Sequence, residues 1–304
     1  MDASKAFGKV LSEVKKHIAG KTDIIELMFI GIVANGHCLL EGVPGVAKTQ
    51  MTKALSDAID ADFARIQGTP DLDMRDIIGL TYFDEAEHEV KVKKGPIFTN
   101  ILLMDELNRA PARTMAGFLE ALEERQVTIP GAQTMKLMNP FIAFATQNPL
   151  NIEGTVALPK VLADRFLMRI AVSYPTSEEE VQMLRLKEHE SDVKTEKVLK
   201  IEEILQMQKD VDRINISDED IEYITRLVNT TRTDMHIVMG GSPRAEIAFM
   251  RCSKAKALIE GRSEVSIDDI KYLAKPVLSH RIVVRSTGGI GVNGIIDGIV
   301  ANVK

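Results

Sequence analysis

Apolar residues at Phe7, Leu11, Val14 and Ile18 recur at i, i+4, i+7 and i+11, one face of an amphipathic helix. Behind them, Thr22 to Ala34 is nearly all apolar on its later turns, which predicts a second, buried helix. The period then changes. Cys38–Leu40 predicts a short strand, Lys48–Ile59 a helix, and Phe63–Ile66 another strand. IFTNILLM, Ile97 to Met104, is a continuous apolar run of the kind buried in a parallel sheet. A helix follows from about Pro111 to Glu124, and FIAFATQ and RFLMRIAVSYP each supply a further strand. Strands alternating with helices predict a three-layer α/β domain with a mostly parallel sheet.

Two stretches depart from that alternation. HEVKVKK, within residues Thr81 to Lys94, has period two among charged neighbours and predicts an exposed hairpin. QVTIPGAQTMKLM predicts a second hairpin turning at Pro130–Gly131. After Pro175 the texture changes again: PTSEEEVQMLRLKEHESDVKTEK is strongly charged and helical in period, and no buried strand run returns. Helix starts are read at Ser217, at Ser242 before Pro243, and at Ser266. Ser266 with Asp269 makes a capping box, and Val265 and Ile270 are placed as a hydrophobic staple. The expected division is therefore an α/β core over 1–175, with hairpin insertions near 80–94 and 126–138, and a smaller all-α domain over 176–304.

Composition narrows the setting. The chain has 304 residues, and 38 basic against 44 acidic side chains leave a net charge of −6. That balance argues against a broad nucleic-acid or anionic-membrane surface. Cys38 and Cys252 are the only cysteines, which suggests a reducing compartment and no disulfide framework. The N-terminus, MDASKAFGKVLSEVKK, has no apolar segment of signal-peptide type, and runs such as Leu27 to Ala34 are too short to span a bilayer. A cytoplasmic protein without a membrane span is expected, and nucleic acid is not the expected partner.

HCLLEGVPGVAKTQ carries the first chemical signal. A short strand enters a loop with two glycines and a proline, then meets Lys48 and Thr49 at a helix start. The phosphate-loop pattern G-x-x-x-x-G-K-[ST] fits from Gly42, except that Ala47 stands where the second glycine belongs. In that mechanism Gly42, Val43, Pro44, Gly45, Val46, Ala47, Lys48, Thr49 and Gln50 form the phosphate-binding turn. Backbone N–H groups cradle phosphates, the lysine reaches their outer oxygens, and the threonine hydroxyl ligates Mg²⁺. The blander reading is an ordinary strand-to-helix turn with a solvated lysine. The second signal is ILLMDELNRA, where Asp105 and Glu106 end an apolar strand. Buried carboxylates are costly without partners. In a phosphate-loop enzyme Asp105 would hold Mg²⁺ and Glu106 would orient the attacking water. Against this stands a solvent-facing helix start with acids suited to its dipole.

These segments resemble the MoxR family of AAA+ ATPases. The likeness rests on LLEGVPGVAKT, GPIFTNILLMDELNRAPARTMAGFLEALEERQVTI, ATQNP with EGTVALP, LADRFLMRIAVSYP and GGSPRA, in order from about residue 17 to 285. It implies an AAA+ phosphate-loop core and a helical lid. It also implies an ATPase that uses ATP and Mg²⁺ in a homo-oligomeric, hexameric ring and remodels a protein client. That client would carry a von Willebrand factor A domain, and the work would be metal-cofactor insertion or complex assembly. By the same resemblance Asn148 is the first sensor, positioning the lytic water. Arg165 in ADRF is the arginine finger of a neighbouring subunit, with Arg169 ranked behind it. Arg244 in GGSPRA is the second sensor, carried by the lid onto the γ-phosphate in cis. Ile18, Ala19 and Gly20 fall where the family packs the adenine. The bland alternatives are a turn residue for Asn148, a pairing of Arg165 with Asp164 or Glu153, and a first-turn solvent residue for Arg244.

Alanine at position 47 is usual in that family. A right-handed backbone is expected there, with Gly42 and Gly45 supplying the loop's freedom. The departure is IQGTPDLDMRDIIG, where Gly68 replaces a bulky apolar residue and Asp73–Met74 is unusual, which bears on the packing of the first insertion. Other patterns carry no site. GIGVNG, Gly289 to Gly294, satisfies G-x-G-x-x-G, but only ten residues follow, so a flexible C-terminal segment is expected. The histidines at 17, 37, 88, 189, 236 and 280 lack metal-ligand spacing, and His37 and Cys38 are expected to be structural. Two rival functions remain open: a slow-hydrolysing ATP-gated assembly module, and a DNA-acting AAA+ motor.

Overall fold

The computed structural model of the chain describes residues 2–148, 155–188, 194–285 and 291–303. Five parallel strands make the central sheet, in the order β2 (Phe63–Gln67), β5 (Ile101–Asp105), β8 (Ile142–Gln147), β1 (Cys38–Glu41) and β9 (Met168–Ala171). Because every strand runs the same way, their C-terminal residues share one edge. Glu41 pairs in register with Gln147, and Gln67 with Asp105.

Alternation along these strands builds two apolar layers. Cys38, Leu40, Ile101, Leu103, Ile142 and Phe144 face one core; Leu39, Leu102, Met104, Ala143 and Ala145 face the other. The first core is covered by α1 (Ala3–Lys15), α2 (Thr22–Val33) and α3 (Lys48–Ala58), and it runs on into the C-terminal helices. The second is covered by α5 (Ala112–Glu124). The expected three-layer α/β core with a parallel sheet is what the chain forms.

One expected strand is shorter than its apolar run. β5 begins at Ile101, whereas residues 97–100 turn at the base of the first hairpin. Ile97 N donates to Ile77 O at 3.2 Å, and Asn100 Nδ2 donates to Pro140 O at 2.9 Å. The apolar side chains there fill the hairpin base rather than a ladder. After the short helix α4 (Met74–Ile78), β3 (Gly79–Asp84) pairs with β4 (Glu89–Lys94), and β6 (Gln126–Thr128) pairs with β7 (Thr134–Lys136). The two hairpins touch where Thr81 Oγ1 donates to Pro130 O at 3.2 Å.

Beyond α6 (Lys160–Ala163) and β9, the helices are α7 (Ser177–Glu188), α8 (Ile201–Val211), α9 (Asp218–Thr233), α10 (Pro243–Ile259), α11 (Ile267–Leu278) and α12 (Val292–Asn302). Ser217, Ser242 and Ser266 are the N-caps, and Ser266 forms a reciprocal capping box with Asp269. Val265 and Ile270 flank that cap and are both buried. A two-residue-to-three-residue ribbon, β10 (Ile237–Met239) with β11 (Val283–Val284), is added to the helical lid; its strands are too short to show as a periodic run. The expected flexible tail is instead helix α12 from Val292. Ile295, Ile296 and Ile299 form an i, i+1, i+4 stripe that buries against the lid, which is why the segment orders. Gly289 and Ile290 of GIGVNG lie outside the described residues. Among the described residues no helix is long and apolar enough to cross a membrane.

Candidate nucleotide site

A cavity of about 460 Å³ opens at the C-terminal edge of the sheet. Its wall includes the loop from Pro44 to Gln50, the acidic pair Asp105–Glu106, Asn148 and Ile18. Parallel strands explain the convergence: β1, β5 and β8 end side by side, so the loops that follow them face one space.

Lys48 folds back on its own loop, with Nζ donating to Gly42 O at 2.7 Å and Val43 O at 2.8 Å. Burial pulls its pKa below the usual lysine value, opposed by the charges of Asp105 and Glu106. Gly42 and Val43 thus enter the site through backbone carbonyls rather than as cavity wall. Gly45 has φ +86°, the freedom expected of it. Gly42 serves differently: a Cβ there would stand 2.4 Å from Val172 O, so close approach to the chain after β9 requires glycine. Ala47 corrects an expectation. Its φ and ψ are 61° and 21°, left-handed rather than right-handed, because the loop must reverse before α3 can begin at Lys48. An alanine in that region costs about 1 kcal/mol relative to the right-handed form.

Asp105 is buried and fully engaged. Oδ2 accepts from Thr49 Oγ1 at 3.0 Å and from Arg65 Nη2 and Nε at 2.8 and 3.1 Å; Oδ1 accepts from Thr146 Oγ1 at 2.7 Å. Thr146 also accepts from Glu106 N at 2.8 Å, so one hydroxyl ties both acids. The Glu106 carboxylate receives Gln67 Nε2 at 3.1 Å and Arg109 Nη1 at 2.8 Å. A solvent-facing helix start is thereby excluded: a single 3₁₀ turn follows Glu106, and α5 begins only at Ala112.

Gly68 belongs to this arrangement and not to the first insertion as expected. Its N–H donates to Asp105 O at 2.7 Å, and a Cβ on it would lie 2.2 Å from Glu106 O. The missing side chain leaves room for the backbone of the acidic pair.

The oxygen set offered by Thr49 and Asp105 fits a hard divalent cation such as Mg²⁺, and the Arg65 guanidinium already places positive charge on the same carboxylate oxygen. Asn148 follows β8 at the cavity, its carbonyl 3.5 Å from Asn108 Nδ2. Pro149 and Glu153 lie outside the described residues. Ile18 is buried in the wall, whereas Gly20 is not a wall residue. It has φ +64° and sits tight against Glu179 of α7, whose Oε1 accepts from Lys21 N at 3.2 Å.

The expected arginines are elsewhere. Arg165 donates from Nη2 and Nε to Glu123 Oε2 at 2.5 and 2.9 Å, and Arg244 Nη2 donates to Glu123 Oε1 at 2.5 Å. The hydrogen bonds from Arg244 and then Arg165, with their charges behind them, hold the Glu123 carboxyl below its usual pKa. Neither arginine lines the cavity of its own chain. Arg244, expected there in cis, is kept away because the start of α10 lies beside α5 and α6. Arg169 is engaged as well, with Nη1 3.2 Å from Glu41 Oε2 and Nε 3.0 Å from Ser279 Oγ.

Sequence reasoning missed Arg65, Gln67, Thr146, Glu123 and the α7 wall residue Met183. Only Thr146 left a readable mark, as a polar residue in the otherwise apolar FIAFATQ. His37 and Cys38 are structural as expected. His37 Nδ1 accepts from Ala143 N at 2.9 Å and Nε2 faces Leu122 O at 3.0 Å, while burial pushes its pKa down to about 3. Burial raises both thiols, Cys252 to about 12. Among the described residues no cluster of His, Cys, Asp and Glu is arranged to hold a metal.

Comparison with known proteins agrees with this geometry. Residues 37–168 match the family described as "ATPase family associated with various cellular activities (AAA)", and residues 229–291 match an AAA lid domain. A Bacillus subtilis protein, YeaC, is 40% identical over 307 residues, covering 100% of this chain and 96% of that one. Chaperone MoxR1 of Mycobacterium tuberculosis is 36% identical, over 90% of this chain and 75% of its own. A solved structure from Cytophaga hutchinsonii, described as a candidate ATPase, superposes with a TM-score of 0.92 at 37% identity, covering 99% of this chain and 95% of that one. The chain belongs to the MoxR family of AAA+ ATPases.

Proposed function

We propose that this chain binds Mg·ATP in the cavity at the sheet edge and hydrolyses it within a ring of identical subunits. One observation carries the reading: Thr49 Oγ1 and Asp105 Oδ2 meet at 3.0 Å in a cavity that also presents Lys48 and Glu106. The loop N–H groups and Lys48 hold the phosphates. Thr49 and Asp105 hold Mg²⁺, which when bound neutralises phosphate charge. Glu106 orients the attacking water, and Asn148 steadies it. Arg165 reaches the site of a neighbouring subunit, where it offsets developing negative charge. Arg244, which shares Glu123 with Arg165, supports that same face. Ile18, with Gly20 beside it, borders the adenine.

The core over 1–175 and the lid over 176–304 move against one another during turnover, and a cytoplasmic hexamer turns that motion into remodelling of a protein client. The chaperone named among the relatives supports a protein client; a von Willebrand factor A domain on that client, and its maturation by metal insertion or assembly into a complex, follow from the family resemblance alone.

Glu106→Gln and Lys48→Ala test the chemistry together. Glu106→Gln is expected to bind ATP as the parent chain does and to lose turnover by about 10²- to 10⁴-fold. Lys48→Ala is expected to lose binding itself, on the order of 100-fold. Parent-level turnover by Glu106→Gln contradicts the role given to that carboxylate. Slow turnover by the parent chain at saturating ATP, unchanged by client, supports an assembly module instead.

A further inference from the structure

Residues Asp164 to Leu167 lead from α6 into β9 and carry Arg165, yet the groups that hold them come from the far end of the chain. The Arg281 guanidinium donates from Nε to Asp164 Oδ1 at 3.2 Å, from Nη2 to Phe166 O at 2.6 Å, and from Nη1 to Leu167 O at 3.1 Å. Nη1 also reaches Val277 O of α11 at 2.5 Å, which anchors the fork in the lid. His280 Nε2 faces Phe166 O at 2.9 Å and is therefore the protonated ring nitrogen. Ser242, the N-cap of α10, sets Oγ 3.1 and 3.0 Å from the two Asp164 oxygens. Two residues on, Arg244 shares the Glu123 carboxylate with Arg165.

Three lid residues, Arg281, His280 and Ser242, thus bond directly to the short segment that bears Arg165. Arg281 is 4% exposed, and a buried guanidinium is tolerated only with partners that satisfy its fork. Asp164 supplies the opposite charge, and the carbonyls of Asp164, Phe166, Leu167 and Val277 take the remaining donors. A lysine in its place offers one compact head and cannot span the same acceptors.

We propose that Arg281 is a positioning residue for Arg165. Asp164–Leu167 is also joined to the core, with Leu167 N donating to His37 O at 2.7 Å. By fastening that segment to the lid as well, Arg281 makes the setting of Arg165 depend on the position of the lid. Any shift of the lid in one subunit is then delivered to the nucleotide site of the next. The inference rests on the reading of Arg165 as a group that acts on a neighbouring subunit.

Subunit mixing separates this role from ordinary structural support. Two variants are used: Arg281→Lys, which keeps the charge and loses the fork, and Asp164→Asn, which keeps the shape and loses the charge facing Arg281. Each alone is expected to bind a fluorescent ATP analogue as tightly as the parent chain. Each is expected to turn ATP over at least about tenfold more slowly, because a displaced arginine misses its target. Mixed with Lys48→Ala subunits, each is expected to regain activity, since the intact Arg165 of a Lys48→Ala subunit then faces an intact pocket. If Arg281→Lys does not fold, Asp164→Asn decides by the same assay. Parent-level turnover by Asp164→Asn overturns the proposal. So does a failure of these mixtures to recover while Arg165→Ala mixed with Lys48→Ala does recover. If the Arg165→Ala mixture also stays inactive, the neighbour-acting reading fails and the proposal falls with it.

Discussion

The sheet edge and the lid corner hold the residues proposed for the chemistry in different ways. At the sheet edge, Lys48, Thr49, Asp105 and Glu106 line a cavity; Thr49 bonds Asp105, Thr146 ties Asp105 to Glu106, and Lys48 bonds its own loop. At the lid corner, Arg165 and Arg244 have no cavity and share one carboxylate, Glu123, at 2.5 Å each. The first region has the enclosed form that the proposed phosphate binding requires. The second gathers two arginines on one carboxylate outside that cavity. Each chain thus keeps Arg165 and Arg244 out of its own pocket wall, and under the proposed function a neighbouring subunit supplies Arg165 to that pocket.

Loosening one region at a time separates what each contributes. The largest effect is expected from Thr146→Val at the sheet edge. It removes the donor to Asp105 and the acceptor for Glu106 N, orphaning two groups in a buried setting. Each orphaned group costs about 1–3 kcal/mol, so thermal melting should fall by several degrees and turnover should fall with it. An unchanged melting temperature contradicts the role of that hydroxyl as the tie between the acids.

A middle-sized effect comes from pH and touches both regions, since His37 bonds Leu122 beside Glu123 and Ala143 on the strand that carries Thr146. Its folded pKa of about 3 lies below the ordinary value of 6.5, so the unfolded chain binds more protons between those limits. Stability is then complete above about pH 6.5 and declines as pH falls toward 3, on the order of 2 kcal/mol from this group by pH 5. Buried His280 pulls in the same direction. Denaturant titrations at pH 7.5 and 5 check this; equal midpoints contradict a neutral, buried His37.

Ala47→Gly should have the smallest effect. Release of left-handed strain, about 1 kcal/mol, is nearly offset by the greater freedom of glycine in the unfolded chain. Melting within about two degrees of the parent and unchanged ATP binding are expected. A large loss of binding contradicts the view that alanine merely fills a glycine position.

The two regions also differ in how far they could be read from sequence. Lys48, Thr49, Asp105 and Glu106 are local: each sits at the end of an apolar run, so period and residue type placed them together. The partners of Asp105 were hidden because Arg65 and Thr146 become its neighbours only through strand order, with β2 and β8 on either side of β5. The lid corner was least legible. Glu123 lies 42 residues from Arg165 and 121 from Arg244, and nothing in the helix pattern of α5 marks it as their shared acceptor. Ala47 and α12 failed for local reasons: a loop reversal that the glycine pattern encodes, and an isoleucine stripe obscured by neighbouring glycines.

The most direct measurement is ATP turnover by mixtures of Lys48→Ala and Arg165→Ala subunits, each inactive alone. If pocket and arginine belong to different subunits, equal amounts should recover on the order of a quarter of parent turnover through randomly paired interfaces. No recovery at any ratio, with both variants folded and co-assembled, contradicts the division of the site between neighbouring subunits.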